Sequence, residues 1–257
     1  MTPIAIAAFA LLGLLLSGIL SAAAIRWDSR LLPAYPPTYD LNNKQKPKRY
    51  AIIPLLSLML SKLTRSKGNP AVVWRYAIGD LVTTLLFAHA AFMLGWQVEL
   101  LAVLFFIGIL IVIVQTDLTD MIIPNKVVTV GVIGAILVRL LVHPLPLLNY
   151  GFAALAGSGA LLIIGILGSW LLKKETMGGG DIKLYVFIGL ILGVKLTLLS
   201  LFLASLFGLI GGIALIAAGA HSKGKTIPFG PYIAAGALAA YYWGNGLIEW
   251  YLSLLSY

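Results

Sequence analysis

Four acidic side chains stand in or beside strongly apolar runs: Asp80, Asp117, Asp120 and Asp181. An ionisable group in that setting costs about 2.5–3.5 kcal/mol by membrane-insertion scales and marks function by default. The other five acids, Asp28, Asp40, Glu99, Glu175 and Glu249, fall in a basic segment or at the ends of apolar runs, where exposure is the default. Asp117 closes the run 100–116 and is followed by Leu118-Thr119-Asp120-Met121-Ile122-Ile123-Pro124-Asn125. Asp181 follows three glycines in Met177-Gly178-Gly179-Gly180-Asp181-Ile182-Lys183-Leu184. Two carboxylates brought close cannot both ionise easily, so their pKa values split. The ionised partner then activates a water as general base, and the protonated one donates to a scissile carbonyl. That is peptide hydrolysis with neither a metal nor a covalent intermediate. Residue type leaves open which aspartate is acid and which is base.

The neighbours of the pair have readings of their own. Gly178, Gly179 and Gly180 are candidates for positioning a substrate, because glycine allows φ > 0 and close approach of another chain. A following helix N-terminus favours the Asp181 carboxylate. The bland alternative is an N-cap after a loop, a role that suits Asp. Asp120 is either a third carboxylate on the Asp117 face or an exposed loop acid. Lys183 is expected to snorkel to the interface, or else to meet a substrate carboxylate. His89, His143 and His221 are scattered and there is no Cys, so a metal site is not expected.

The elements that must hold these residues are membrane helices. Of 257 residues, 60% are hydrophobic and only 11% charged, against about 25% charged in soluble domains; the mean hydropathy is +0.99. Apolar runs near 20 residues long match the thickness of a bilayer core. Eight spans are expected, at about 4–24, 76–95, 99–116, 126–142, 150–172, 182–194, 196–219 and 231–255. The fold class is therefore all-α, a polytopic transmembrane helical bundle with a basic cytoplasmic loop after the first span. Residues 1–25 make the first span, 26–75 the loop and 76–257 the catalytic core. Met1-Thr2-Pro3 lacks the positive charge of a signal peptide, so the first run reads as a retained span with the N-terminus outside.

The net charge of +9 comes largely from 26–75, which holds ten of the 18 basic residues and only Asp28 and Asp40 as acids. This is the positive-inside pattern, with anionic lipid rather than nucleic acid as the expected contact. Asp117 and Asp181 then both fall at cytoplasmic span ends. Arg139 and Lys195 are exceptions near the outer side. The run 52–60 is too short to span and is expected to lie along the membrane surface. The run 182–194 rises only about 20 Å, short of the roughly 30 Å hydrocarbon thickness. Gly189/Gly193 and Gly208/Gly212 are GxxxG pairs, read as close helix packing.

At these residues the sequence resembles the prepilin peptidases, a branch of the GxGD intramembrane aspartyl proteases. Asp117-Leu118 with Ile123-Pro124-Asn125 looks like the first aspartate motif of that family. Gly178-Gly179-Gly180-Asp181-Ile182-Lys183-Leu184 looks like its GxGDxKL motif, and Ile227-Pro228-Phe229-Gly230-Pro231-Tyr232 like its IPFGP segment. Ile53-Pro54-Leu55-Leu56-Ser57 and Arg75-Tyr76-Ala77-Ile78-Gly79-Asp80 resemble further stretches. The resemblance implies cleavage of leaders from type IV prepilins or type II secretion pseudopilins, after a glycine and on the cytoplasmic side of a bacterial inner membrane. It carries over Asp117 and Asp181 as the catalytic pair. In many members it also implies methylation of the new N-terminus from S-adenosylmethionine.

Two departures matter. Many members hold two zinc-binding cysteine pairs in the first loop; this chain has none, with Leu63-Thr64-Arg65-Ser66-Lys67-Gly68-Asn69 where the second pair would stand. A family glutamate associated with methylation is Asp80 here. Zinc is not expected, and the change at Asp80 bears on methylation and not on proteolysis. The rivals are a peptidase without methylation, a preflagellin-type relative, a proton-coupled transporter using the same carboxylates, and a structural scaffold. Neither the particular pilin nor the oligomeric state is legible from sequence.

Overall fold

The computed structural model describes residues 1–27, 70–174, 176–219 and 227–256. Most of the basic loop, the run 52–60, the segments 53–57 and 63–69, Glu175 and the loop 221–225 lie outside the described residues. So do the side chains of 21–27, 70–77, Thr119 and Asp120.

Among the described residues the chain is helical throughout, with no strand. Eight helices follow the eight apolar runs: α1 Pro3–Trp27, α2 Pro70–Leu94, α3 Glu99–Asp120, α4 Asn125–Leu141, α5 Leu147–Leu172, α6 Gly179–Leu192, α7 Val194–Ala217 and α8 Gly230–Leu255. Proline and glycine punctuate them as their backbone chemistry requires. Pro124 and Pro146 stand just ahead of α4 and α5, and Pro231 occupies the first turn of α8.

Four of the helices carry segments long and apolar enough to cross a membrane: Pro3–Leu20, Glu99–Leu118, Leu147–Leu172 and Val194–Ala217. Their outward faces are apolar as well. Leu155, Ile163 and Trp170 on α5, and Phe202, Ile210 and Ile213 on α7, are all exposed. So much exposed apolar surface is intelligible only against lipid. The protein is a polytopic helical membrane protein.

The chain divides into two compact units, Met1–Thr116 and Asp117–Tyr257. In the first, α1 packs along α2. Gly13 makes this possible, since a Cβ there would fall 2.9 Å from the Phe87 Cβ. Asp80, on α2, is fully buried in this unit.

In the second unit α6 touches α4, α5, α7 and α8. Leu184, Tyr185, Phe187, Ile188, Ile191 and Leu192 are all buried, while Ile182, Val186 and Leu190 make a partly exposed stripe at helical spacing. Small residues allow the close packing. A Cβ on Gly189 would fall 2.5 Å from the backbone of Ala153 and Ala154 on α5, and one on Gly236 of α8 would fall 2.6 Å from the Ala204 backbone N of α7. The expected GxxxG pairing holds only in part. Gly189 is a packing position, but Gly193 is the corner between α6 and α7, with φ +75°.

That corner explains how so short a helix is accommodated. Chain reversal at depth exposes backbone groups that lipid cannot satisfy. Here side chains satisfy them. Arg139 of α4 is buried and donates from Nη2 to the Ile191 carbonyl at 2.6 Å and from Nη1 to the Val142 carbonyl at 3.2 Å. Its guanidinium lies 4.8 Å from the centroid of the Tyr150 ring. Asn149 accepts the Val194 N–H at 3.0 Å. Arg139, an outlier by charge pattern, is thus a buried cap on the C-terminus of α6, where a cation is favoured. Replacing Arg139 by Met leaves a buried carbonyl without its donor, at a cost of about 1–3 kcal/mol. Thermal unfolding in detergent is expected to show a lower Tm for R139M, with R139K in between; an unchanged Tm for R139M would show that the cap carries no stability.

Candidate active site

Asp117 lies in the last turn of α3 and is buried. The helix stops three residues later. Met121 takes a left-handed conformation, φ 54°, and its N–H donates to the Asp117 carbonyl at 3.0 Å, the usual manner of closing a helix. Ile122 and Ile123 lead to Pro124, after which α4 begins. A carboxylate at a helix C-terminus faces the negative end of the macrodipole. Compensation comes from α8: the Gly230 N–H, the first of that helix, donates to Asp117 Oδ2 at 2.7 Å in a buried hydrogen bond.

Gly230 is itself held in place by aromatic neighbours. Phe229 lies against Gly208 of α7 and Tyr232 against Gly211, each so closely that a Cβ on either glycine would collide with the ring. The glycines of α7 therefore make room for the segment that carries the N–H.

Asp181 is the third residue of α6, ahead of its apolar run, and is partly exposed. The N-cap is Gly178, and no side chain caps this helix end, so the capping role considered for Asp181 is not the one it plays. None of the three preceding glycines has positive φ; the expected need for left-handed backbone does not arise. Close approach does arise at Gly180, where a Cβ would fall 2.9 Å from the Ile123 Cβ. Gly178 and Gly179 have open space around the missing Cβ, or ordinary contact.

A second link joins the same two segments. Lys183, itself exposed, donates from Nζ to Asn125 Oδ1 at 2.9 Å. Gly180 on Ile123 and Lys183 on Asn125 together fasten the first turn of α6 to the stretch that follows Asp117. Asp181 therefore sits within the electrostatic reach of Asp117. Burial, and secondarily the Asp117 charge, hold the Asp181 carboxyl up at about 6. Two carboxyls coupled in this way can share one proton, with one ionised and one neutral. Met177 and Ile182, on either side of the Asp181 turn, also line an open groove of about 270 Å3 with Leu162, Gly165, Ile166 and Ser169 of α5.

Asp80 belongs to the first unit, Asp117 and Asp181 to the second. With no exposed surface, Asp80 offers a methyl donor such as S-adenosylmethionine no accessible face. Asp80 itself therefore does not hold that group. Among the described residues no three His, Cys, Asp or Glu side chains gather closely enough to hold a metal ion.

Three contributors went unread in the sequence: Gly230, Asn125 and Arg139. Gly230 and Asn125 lie within recognised motifs, but a backbone donor and a neutral amide announce no role. Arg139 did carry a signal, its departure from the charge pattern.

Residues 104–213 match the type IV leader peptidase family. Over 204 residues the chain is 32% identical to a Bacillus subtilis protein named prepilin leader peptidase/N-methyltransferase, covering 79% of this chain and 80% of the relative. A protein of the same name from Aeromonas salmonicida is 36% identical over 206 residues, covering 79% and 70%. One from Legionella pneumophila is 28% identical over 218 residues, covering 84% and 76%. No solved structure matches the chain. Identity of this extent over most of both chains, together with the paired aspartates in their motifs, identifies the protein as a member of the type IV leader peptidase family.

Proposed function

We propose that this protein is an intramembrane aspartic endopeptidase that removes the leader from type IV prepilins or type II secretion pseudopilins, with Asp117 and Asp181 as its catalytic pair. The observation that carries the reading is the double fastening of the Asp181 turn to the stretch that follows Asp117, Gly180 on Ile123 and Lys183 on Asn125, within one unit. One ionised carboxylate takes a proton from water. The resulting hydroxide attacks the scissile carbonyl carbon while the neutral carboxyl protonates the carbonyl oxygen. The gem-diol then collapses, the C–N bond breaks and the leaving amine takes the returned proton. The positive-inside pattern supports a bacterial inner-membrane location with the pair on the cytoplasmic side. The groove beside Asp181 suits the apolar stretch of a membrane-inserted precursor, and the basic loop suits anionic lipid.

General acid–base groups contribute about 10²–10⁴-fold each. Asp117→Asn and Asp181→Asn should each lower cleavage of a co-expressed prepilin at least that far, with the protein still in the membrane. Normal processing by both variants would remove the pair from the chemistry.

Lys183 and Asn125 act at one remove, by orienting the turn that holds Asp181. Lys183→Met and Asn125→Leu are expected to cut kcat by about tenfold to a hundredfold with little change in KM, while Asn125→Asp retains the acceptor and most of the rate. Equal rates for Asn125→Leu and Asn125→Asp would show that this hydrogen bond does not matter.

A second reading, a peptidase without methylation, is favoured by the full burial of Asp80. Mass spectrometry of the mature pilin decides it. An unmethylated N-terminus after correct cleavage is the outcome expected from that burial, and a methylated one would contradict it.

A further inference from the structure

Resting on the reading of Asp117 and Asp181 as a catalytic pair, we propose that Asp117 is the ionised member and general base, fixed in that role by the Gly230 N–H, and that Asp181 carries the proton and acts as the acid. The two carboxyls differ in what donates to them. Asp117 Oδ2 receives a buried backbone N–H at 2.7 Å; among the described residues no such donor meets the Asp181 carboxyl, which is partly exposed in the first turn of α6. A hydrogen bond to a carboxylate is roughly twice as strong as one to a neutral acceptor, so a single shared proton settles on the partner without the donor. Each carboxyl also meets a helix N-terminus, Asp117 that of α8 and Asp181 that of α6, so the helix fields do not separate the two and the direct N–H does. With Oδ2 engaged, Oδ1 is the oxygen left to take the proton from water.

Gly230 is therefore a positioning residue, and the absence of its side chain is part of the device. A Cβ there would lie 2.7 Å from Asp117 Oδ2, 3.0 Å from Cγ and 3.1 Å from Cβ. Three atoms of one buried side chain cannot all give way, so any other residue turns the carboxylate aside. Phe229 and Tyr232, seated on Gly208 and Gly211, keep the segment from retreating. The same arrangement explains why a glycine stands between two aromatic anchors in Phe229-Gly230-Pro231-Tyr232.

Infrared spectra of the full chain reconstituted in lipid test the assignment. The difference between Asp181→Asn and the Asp117→Asn/Asp181→Asn double variant follows Asp117 alone, and that between Asp117→Asn and the double variant follows Asp181 alone. Titrated in turn, Asp117 should ionise at a lower pH than Asp181; the reverse order would overturn the proposal. Gly230→Ala in the Asp181→Asn background should convert part of the Asp117 signal to the protonated form, and Gly230→Ala alone should lower kcat about a hundredfold with KM nearly unchanged. An unaltered Asp117 signal in Gly230→Ala would also overturn the role given to the N–H. Should the Ala variant not fold, the order of titration still decides, since it leaves Gly230 in place. If both single Asn variants cleave prepilin like wild type, the pair itself is not catalytic, a failure distinct from an inverted assignment.

Discussion

A carboxylate at the end of an apolar helix has to be stabilised by something other than bulk water, and in this protein the Gly230 N–H does it. Asp117 sits where α3 presents the negative end of its dipole and where burial opposes charge. The 2.7 Å hydrogen bond from the first turn of α8 works against both. Much of the second unit is arranged around that contact. Gly208 and Gly211 of α7 admit Phe229 and Tyr232, these fix the start of α8, and α8 brings its first N–H to the carboxylate.

Its partner depends on a helix that is short by membrane standards. α6 has 14 residues, seven of them buried, and both its ends are tied. At the far end Arg139 and Asn149 satisfy the groups freed at the Gly193 corner. At the near end Gly180 rests on Ile123 and Lys183 binds Asn125. Depth and rotation of Asp181 are thus set from two directions. A longer helix would carry the carboxyl away from the turn that follows Asp117.

Much of this was legible in the sequence. Among the described residues each of the eight apolar runs is a helix, and four of them are long and apolar enough to cross a membrane. The scarcity of acids singled out Asp117 and Asp181, and the short rise of 182–194 marked α6 as unusual. What sequence did not disclose was long-range and borne by backbone. Gly230 and Asp117 are 113 positions apart, and a main-chain donor has no side chain to recognise. The glycines at 178–180 suggested conformational freedom, whereas only Gly180 is constrained, and by packing on Ile123 rather than by φ. Arg139 broke the charge pattern because its guanidinium serves a buried carbonyl instead of a lipid surface.

The central claim is that Asp117 and Asp181 work on one water. An experimental structure of the protein with a peptide transition-state isostere, carrying a hydroxyl in place of the scissile carbonyl, tests it most directly. The account predicts both carboxyl groups on that hydroxyl at hydrogen-bond distance, about 3 Å each, with Asp117 Oδ2 still on the Gly230 N–H. Carboxyls held more than about 10 Å apart around the bound isostere would contradict it, because neither could then share a proton or a water with the other.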